Sequence, residues 1–328
     1  MKSLVTGATG FIGSHLAEAL VAAGDDVRAL VRSSSDTRHL ERLGIERCSG
    51  DLTDPVSLGQ AAEGMDHVFH CAAVVTDWDP QNNSYAVNVE GTAALADAAL
   101  RAGVKKLVYL STTEVYGHPD APVAEDAPYR RRGWPYCDTK IEAEKRIWAY
   151  HERGLPVTVL RPATVYGPRS ENVMIEFVEL LRSGQMMLAD GGRKTVGLCY
   201  VTDLVDLMLQ VGQAEIGLGR AYNVADGTDT TWAEFINGLA ALLDLPPVRI
   251  SIPRRLAYPL GWAMEKWAAW RGSDRRPLVT RMAVEFVGTH QAFPIERARR
   301  ELGFRPRVFM EEGLRRTVDW LRAEGYIA

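Results

Sequence analysis

Through its first half the chain alternates short apolar runs with amphipathic stretches. Ser3 to Thr6 predicts a strand, and Leu16, Leu20 and Val21 then fall on one face of a helix that Gly24 ends. Val27 to Val31 predicts a second strand. Val68 to Cys71, Leu107 to Ser111 and Val157 to Arg161 repeat the pattern, with helices expected around 88–102 and 138–150. Such alternation marks an α/β protein in which helices cover both faces of a parallel sheet. Beyond about Gly167, Pro, Gly and charged residues interleave with shorter apolar runs. Thr231 and Glu234 form a capping box for a helix over 232–243, and Glu312 to Arg322 predicts a terminal helix. Ala221 to Val224 is a candidate strand returning to the main sheet. The expected organisation is a cofactor domain over 1–167 and a mainly substrate-binding lobe over 168–328, with segments that return to the sheet.

The apolar stretch Leu256 to Trp270 is interrupted by Glu265 and Lys266 and is too short to span a bilayer. It predicts an amphipathic helix whose apolar face serves packing or membrane contact, with packing the favoured reading. The 328 residues suffice for one large domain and a smaller lobe. A hydrophobic fraction of 46% and a charged fraction of 24% are ordinary for a soluble protein, and a net charge of −4 argues against a nucleic-acid partner. Cys48, Cys71, Cys137 and Cys199 lie far apart without a C-x-x-C pair, so no metal site or redox dithiol is expected. A strand pattern starting at Lys2 leaves no room for a signal peptide, and the expected location is cytoplasmic.

The run Thr6-Gly7-Ala8-Thr9-Gly10-Phe11-Ile12-Gly13 joins the first strand to the first helix. Glycines there allow a tight turn, and the helix start presents N–H groups to a pyrophosphate. This makes the domain Rossmann-type, a doubly wound parallel sheet, with Gly7, Thr9, Gly10, Phe11, Ile12 and Gly13 against the cofactor. The second strand ends Leu30-Val31-Arg32-Ser33 with no carboxylate to hold a ribose 2′-hydroxyl. Arg32, with Ser33, can pair with a 2′-phosphate, which favours NADP over NAD, although Arg can also stack on an adenine. Asp51 and Leu52 are candidates to flank the adenine, and Asp51 serves equally well as a turn residue.

Tyr136 and Lys140 are four apart near the start of a predicted helix and share one face. An ammonium beside a phenol favours the phenolate, and such a Tyr can exchange a proton with a substrate oxygen while hydride moves at carbon. A hydroxyl of Ser111, Thr112 or Thr113, at the end of a strand, can hold the same oxygen. Together with Asp51-Leu52, Cys71-Ala72-Ala73, Asn88 to Thr92, Ser111 to Gly117, Arg161-Pro162 to Pro168 and Tyr200 to Leu204, these features resemble an extended short-chain dehydrogenase/reductase of the NAD-dependent epimerase/dehydratase superfamily. The resemblance implies that Tyr136 is the acid/base, Lys140 its helper and Thr112 the hydroxyl partner, since family members carry that Ser or Thr two residues before the position of Glu114. It also implies that Ala72 and Ala73 lie along the cofactor, that backbone after Pro162 meets the nicotinamide amide, and that the protein is a homodimer through a four-helix contact.

Two branches of the family differ in substrate. Nucleotide-sugar enzymes typically carry Asn where this chain has Thr164, and an Arg for the diphosphate before Tyr-Val-x-Asp-Leu, where this chain reads Thr195 to Cys199. These departures, Arg161-Pro162, the absent acid near Val31 and an apolar lid around Trp262, Trp267 and Trp270 favour the 3β-hydroxysteroid dehydrogenase-like branch. The expected reaction interconverts a secondary alcohol and a ketone on a hydrophobic small molecule. The alternative is a nucleotide-sugar epimerase, dehydratase or decarboxylase with retained NAD, and Glu114 fits both. Val75, Glu114, Thr164 and Val165 are the expected substrate contacts. His70 is expected in the core, Asn88 at a helix turn or an active-site water, Trp78 as a loop anchor or pocket residue, and Arg130 to Arg132 in a solvated loop.

Overall fold

The computed structural model describes residues 1–213 and 215–327. Strands β1 (Lys2–Thr6), β2 (Asp26–Val31), β3 (Glu46–Ser49), β4 (His67–His70), β5 (Lys106–Leu110) and β6 (Val157–Pro162) alternate with helices α1 (Phe11–Ala22), α2 (Arg38–Arg42), α3 (Pro55–Ala62), α4 (Asn83–Tyr85), α5 (Thr92–Ala102) and α6 (Pro135–Glu152). The later segment adds β7 (Thr164–Tyr166), α7 (Glu176–Arg182), β8 (Leu188–Ala189), β9 (Leu198–Tyr200), α8 (Val201–Gln213), β10 (Arg220–Val224), α9 (Trp232–Leu242), β11 (Ser251–Ile252), α10 (Arg254–Trp270), α11 (Arg281–Gly288), α12 (Glu296–Leu302) and α13 (Met310–Ala323).

Seven strands form one sheet in the order β10-β6-β5-β4-β1-β2-β3, every pair parallel. Its strands are apolar at consecutive positions because both faces are covered. Val5, Phe69, Val108 and Leu160 pack under α1 and α8, while their neighbours Leu4, Val68, Leu107 and Val159 pack under α3, α5 and α6. Each such side chain contributes about 1.5–3 kcal/mol on burial. The chain order reverses between β1 and β4, which leaves a crevice beyond their carboxyl ends, where ligands of such sheets bind. β10 lies beside β6 although 57 residues of the later segment separate them.

Around a third apolar cluster, with Tyr166, Phe235, Leu239, Leu314 and Val318, the later segment builds two small parallel pairs, β7 with β9 and β8 with β11. The capping box is formed as expected: the Thr231 hydroxyl accepts from the Glu234 N–H, and the Glu234 carboxylate accepts from the Thr231 N–H. α10 packs against α11, but Trp262, Trp267 and Trp270 lie on its exposed side. This corrects the expected aromatic lid. Ala257 and Met264, on the side turned to α11, reach the cleft instead, and the half-exposed Leu260 stands at its mouth. Among the described residues no helix is long and apolar enough to cross a membrane.

Candidate active site

A cleft of about 2070 Å³ opens at the carboxyl ends of β1, β4, β5 and β6 and extends beneath α10 and α11. At its floor the glycine loop turns into α1. Gly7 has φ +75°, and a Cβ there would lie 2.8 Å from the Ala72 nitrogen; a Cβ on Gly13 would lie 2.1 Å from the Gly7 carbonyl oxygen. Neither place admits a side chain. Gly10 donates to the Gly7 carbonyl at 3.0 Å and caps α1 without a side-chain partner. The first N–H groups of the helix are therefore left for a ligand, and with the helix field they suit a diphosphate. Thr9, Gly10, Phe11 and Ile12 line the cleft; Gly7 and Gly13 support them from behind. This cradle fits the pyrophosphate of a dinucleotide.

Arg32 and Ser33 are exposed past β2, outside the cleft wall. Of the two readings of Asp51, its hydrogen bonds realise the turn residue: the carboxylate accepts the Thr53 hydroxyl at 2.6 Å and the Thr53 N–H at 2.8 Å. These bonds, with a smaller contribution from Arg32, hold its pKa below the usual carboxylate value. Leu52 is buried, and Ala72 lies behind Gly7 while Ala73 lines the cleft. The cations that do line this end are Arg38 and Arg42 of α2 and Arg169, beside the imidazole of His39. Sequence reasoning passed them over, although Arg38 and Arg42 share an i,i+4 spacing just after the second strand. Arg38 pairs with Asp36, and Arg169 with Glu18 at 2.5 Å.

α6 carries Tyr136, Lys140 and Glu144 four residues apart on one face. Tyr136, Lys140 and Thr112 all line the cleft beside Pro162. Thr112 accepts the Glu114 N–H at 3.2 Å, and its hydroxyl bonds to the Tyr136 phenol, favouring the ionised form. Burial and then the Glu114 carboxylate outweigh that bond and hold the phenol well above its ordinary pKa. Lys140 does not offset them, contrary to the expected pairing of ammonium and phenol. Its Nζ donates to the Leu110 carbonyl at 2.7 Å and lies 4.3 Å from the centre of the Tyr109 ring. A buried ammonium must take a strong acceptor within reach; burial, partly offset by the Glu144 carboxylate, pushes Lys140 down to about 7. Ser111 is committed elsewhere, donating to the fully buried Glu144, which pairs with Arg161.

Glu114 contacts His118 at 2.5 Å, and His118 in turn meets the Gln291 amide at 2.8 Å. The amide N–H donates to Nδ1, so a neutral ring carries its proton on Nε2 and donates it to the carboxylate. Neither His118 nor Gln291 was found from sequence. The spacing of 114 and 118 was an available signal; Gln291, brought from 173 residues away, had none.

Val75, Thr164 and Val165 line the cleft with Glu114. The Thr164 hydroxyl donates to the Val196 carbonyl, and the N–H groups of Ala163 and Thr164 are paired with the carbonyls of Val224 and Gly197. Backbone just after Pro162 is thus already engaged, which narrows what it can offer a nicotinamide amide. Asn88 clamps the backbone of Val74 and donates to Thr139, holding the chain after β4 against α6. His70 is buried between Thr6 and Thr92, and burial lowers its pKa to about 3. Trp78 anchors its loop to the Ser273 carbonyl. Arg130 to Arg132 are exposed. The far end of the cleft is walled by Val173, Phe177, Met186, Leu188, Met264 and Phe286. Its cation, Arg276, is bound by both oxygens of Asp77 at 2.6 and 2.8 Å.

The chain is similar to known proteins over nearly its whole length. Residues 3–225 match the model of the NAD dependent epimerase/dehydratase family. A 2-alkyl-3-oxoalkanoate reductase of Stenotrophomonas maltophilia is 34% identical, covering 96% of this chain and 98% of its own. A 4-hydroxy-2-methyl-3-oxo-4-farnesyl-3,4-dihydroquinoline-1-oxide ketoreductase of Stigmatella aurantiaca is 30% identical over 99% of this chain and 97% of its own. The solved UDP-glucose 4-epimerase of Thermotoga maritima, with UDP-glucose, superposes with a TM-score of 0.79 at 25% identity and 99% coverage of both chains. With its dinucleotide cradle at the sheet's switch point, this chain belongs to the NAD-dependent epimerase/dehydratase family and is an extended short-chain dehydrogenase/reductase.

Proposed function

We propose that the protein is a reductase interconverting a ketone and a secondary alcohol on an apolar substrate, with the cofactor on residues 1–167 and the substrate mainly on 168–328. The observation that carries this reading is the far end of the cleft: an apolar wall whose one lining arginine among the described residues, Arg276, is neutralised by Asp77. A nucleotide diphosphate needs unpaired cations there; an alkyl or polycyclic body needs what is present. The names of the two reductases above, one an alkyl oxoalkanoate enzyme and one acting on a farnesyl compound, support the same class.

The nicotinamide cofactor supplies or accepts hydride when bound. Thr112 and Tyr136 hold the reacting oxygen between two hydroxyls, and in reduction Tyr136 gives it a proton from a phenol kept protonated by burial and Glu114. Lys140 lies one helical turn from that phenol, its amine held on the Leu110 carbonyl at the cofactor side of the cleft. Ala72, Ala73 and Pro162 border the cofactor, and Val75, Glu114, Thr164 and Val165 the substrate. NADP is favoured because Arg32 and Ser33 close β2 without a carboxylate, Asp51 is engaged by Thr53, and Arg38 and Arg42 line the same end.

The test is what the purified protein holds and turns over. The reading expects little retained dinucleotide and net NADPH oxidation on long-chain or polycyclic ketones. Tightly held NAD, with conversion of a sugar nucleotide and no net change in nicotinamide absorbance, overturns it.

A further inference from the structure

Helix α10 is apolar on two sides. The side carrying Ala257, Gly261, Met264 and Ala268 packs on α11 and roofs the cleft. The other carries Leu256, Leu260, Ala263, Trp267 and Trp270, at successive spacings of four, three, four and three, which forms one continuous stripe. That stripe faces solvent: Leu256 is 62% exposed, Leu260 50%, Trp267 57% and Trp270 81%. It runs into the cleft mouth, where Leu260, Leu278, Ile250 and Met187 are both exposed and cleft-lining.

The unpaired charges around the stripe are four cations and one carboxylate, Asp274, among the described residues. Arg255 and Lys266 flank it, and Arg271 and Arg275 follow its end, all exposed and none in an ion pair with a carboxylate among the described residues. Arg271 stacks 4.4 Å above the Trp267 ring. The neighbouring carboxylates are taken: Glu265 by Arg281, Glu285 by Arg254 and Asp77 by Arg276. Asp274 accepts from Gln81.

We propose that this face docks on an anionic lipid bilayer surface, the Trp and Leu side chains entering the headgroup boundary and the cations meeting lipid phosphates, so that the cleft mouth opens onto the membrane. Indole rings favour that boundary, and cations beside an apolar stripe supply the charge complement. A second copy fits less well, since pairing two such faces brings four unpaired cations from each together against a single carboxylate, Asp274, from each. The benefit of docking, delivery of an apolar ketone, rests on the function proposed above; the docking itself does not.

The test uses the full chain with vesicles of phosphatidylcholine alone or mixed with phosphatidylglycerol, followed by co-sedimentation and tryptophan emission. Binding is expected to the mixed vesicles, to weaken with salt, and to fall about tenfold or more for a Trp267→Ser/Trp270→Ser double variant. Arg255→Ser/Lys266→Ser is expected to weaken binding to the mixed vesicles selectively. Unchanged cofactor binding in each variant shows that it has folded. Absence of binding to either vesicle, equal binding by the Trp variant, or a solution dimer that the Trp variant separates overturns the proposal. Vesicle binding without ketone turnover sinks only the function, and turnover of soluble ketones without vesicle binding sinks only the docking.

Discussion

Glu114 sits where two demands meet. Its carboxylate accepts from His118 and at the same time disfavours the phenolate of Tyr136. Replacing it by Gln removes the negative charge but keeps the shape. The pKa governing alcohol oxidation, which needs the phenolate, is therefore expected to fall in Glu114→Gln, and the pH profile of kcat/KM in that direction to move to lower pH. A profile that stays in place shows that Glu114 does not act on Tyr136. Past the end of β2, Arg32→Ala is expected to weaken NADPH binding about tenfold more than NADH binding, the size of one lost charge-assisted contact. Equal losses for both mean that Arg32 only stacks. The glycine turn and the Tyr136–Lys140 pair were legible because their signals are local. The orientation of Lys140 was not, because it depends on which carbonyl the folded core places within reach. The same holds for His118 and Gln291, which meet only after α11 is packed.

The helix that carries Tyr136 and Lys140 is held from behind. Glu144, one turn past Lys140, joins Arg161 of β6, Tyr129 and Ser111, and Arg161 continues to Tyr116 and the Glu125 carbonyl. Glu144→Ala leaves a guanidinium buried without its carboxylate and is expected to cost about 3–5 kcal/mol, read from urea unfolding. A loss below about 1 kcal/mol contradicts the role given to this pair. Glu144→Gln, which can still accept from Ser111, is expected to lose less. Strands were the most legible elements, since residues apolar on both faces of a sheet announce themselves without tertiary knowledge. α10 was legible as an amphipathic helix but not in its facing. Two apolar stripes on one helix give no local sign of which one the fold covers, and the Trp side chains went outward where a lid was expected. The cations of α2 were missed for a related reason: a five-residue helix is too short for its pattern to show which side meets the cleft.

Across the whole molecule, several bases are buried in their neutral form. Burial, with Arg169 adding to it, lowers His15 to about 4, and burial lowers His70 to about 3. The unfolded chain takes up these protons near 6.5, while the folded chain does not until well below it. Protons therefore favour the unfolded state in that window, and stability falls as pH drops from about 6.5 towards 4. His15→Gln is expected to shrink the loss in urea midpoint between neutral and mildly acidic pH, and an unchanged loss contradicts the assignment. The parallel doubly wound sheet follows from the strand–helix alternation, whereas its strand order is set by how the crossovers pack. The substrate wall, drawn from α7, β8, α10 and α11, does not follow from that alternation, because short elements assembled from distant segments leave no periodic trace. The proposed role of Tyr136, giving a proton to the ketone oxygen as the ketone is reduced, is read out by single-turnover label transfer. With nicotinamide-deuterated NADPH and a long-chain ketone, the protein is expected to place deuterium on the carbinol carbon, while Tyr136→Phe binds the cofactor normally and leaves the ketone unreduced. Undiminished label transfer by Tyr136→Phe, or no transfer by the native chain to any apolar ketone, contradicts the account.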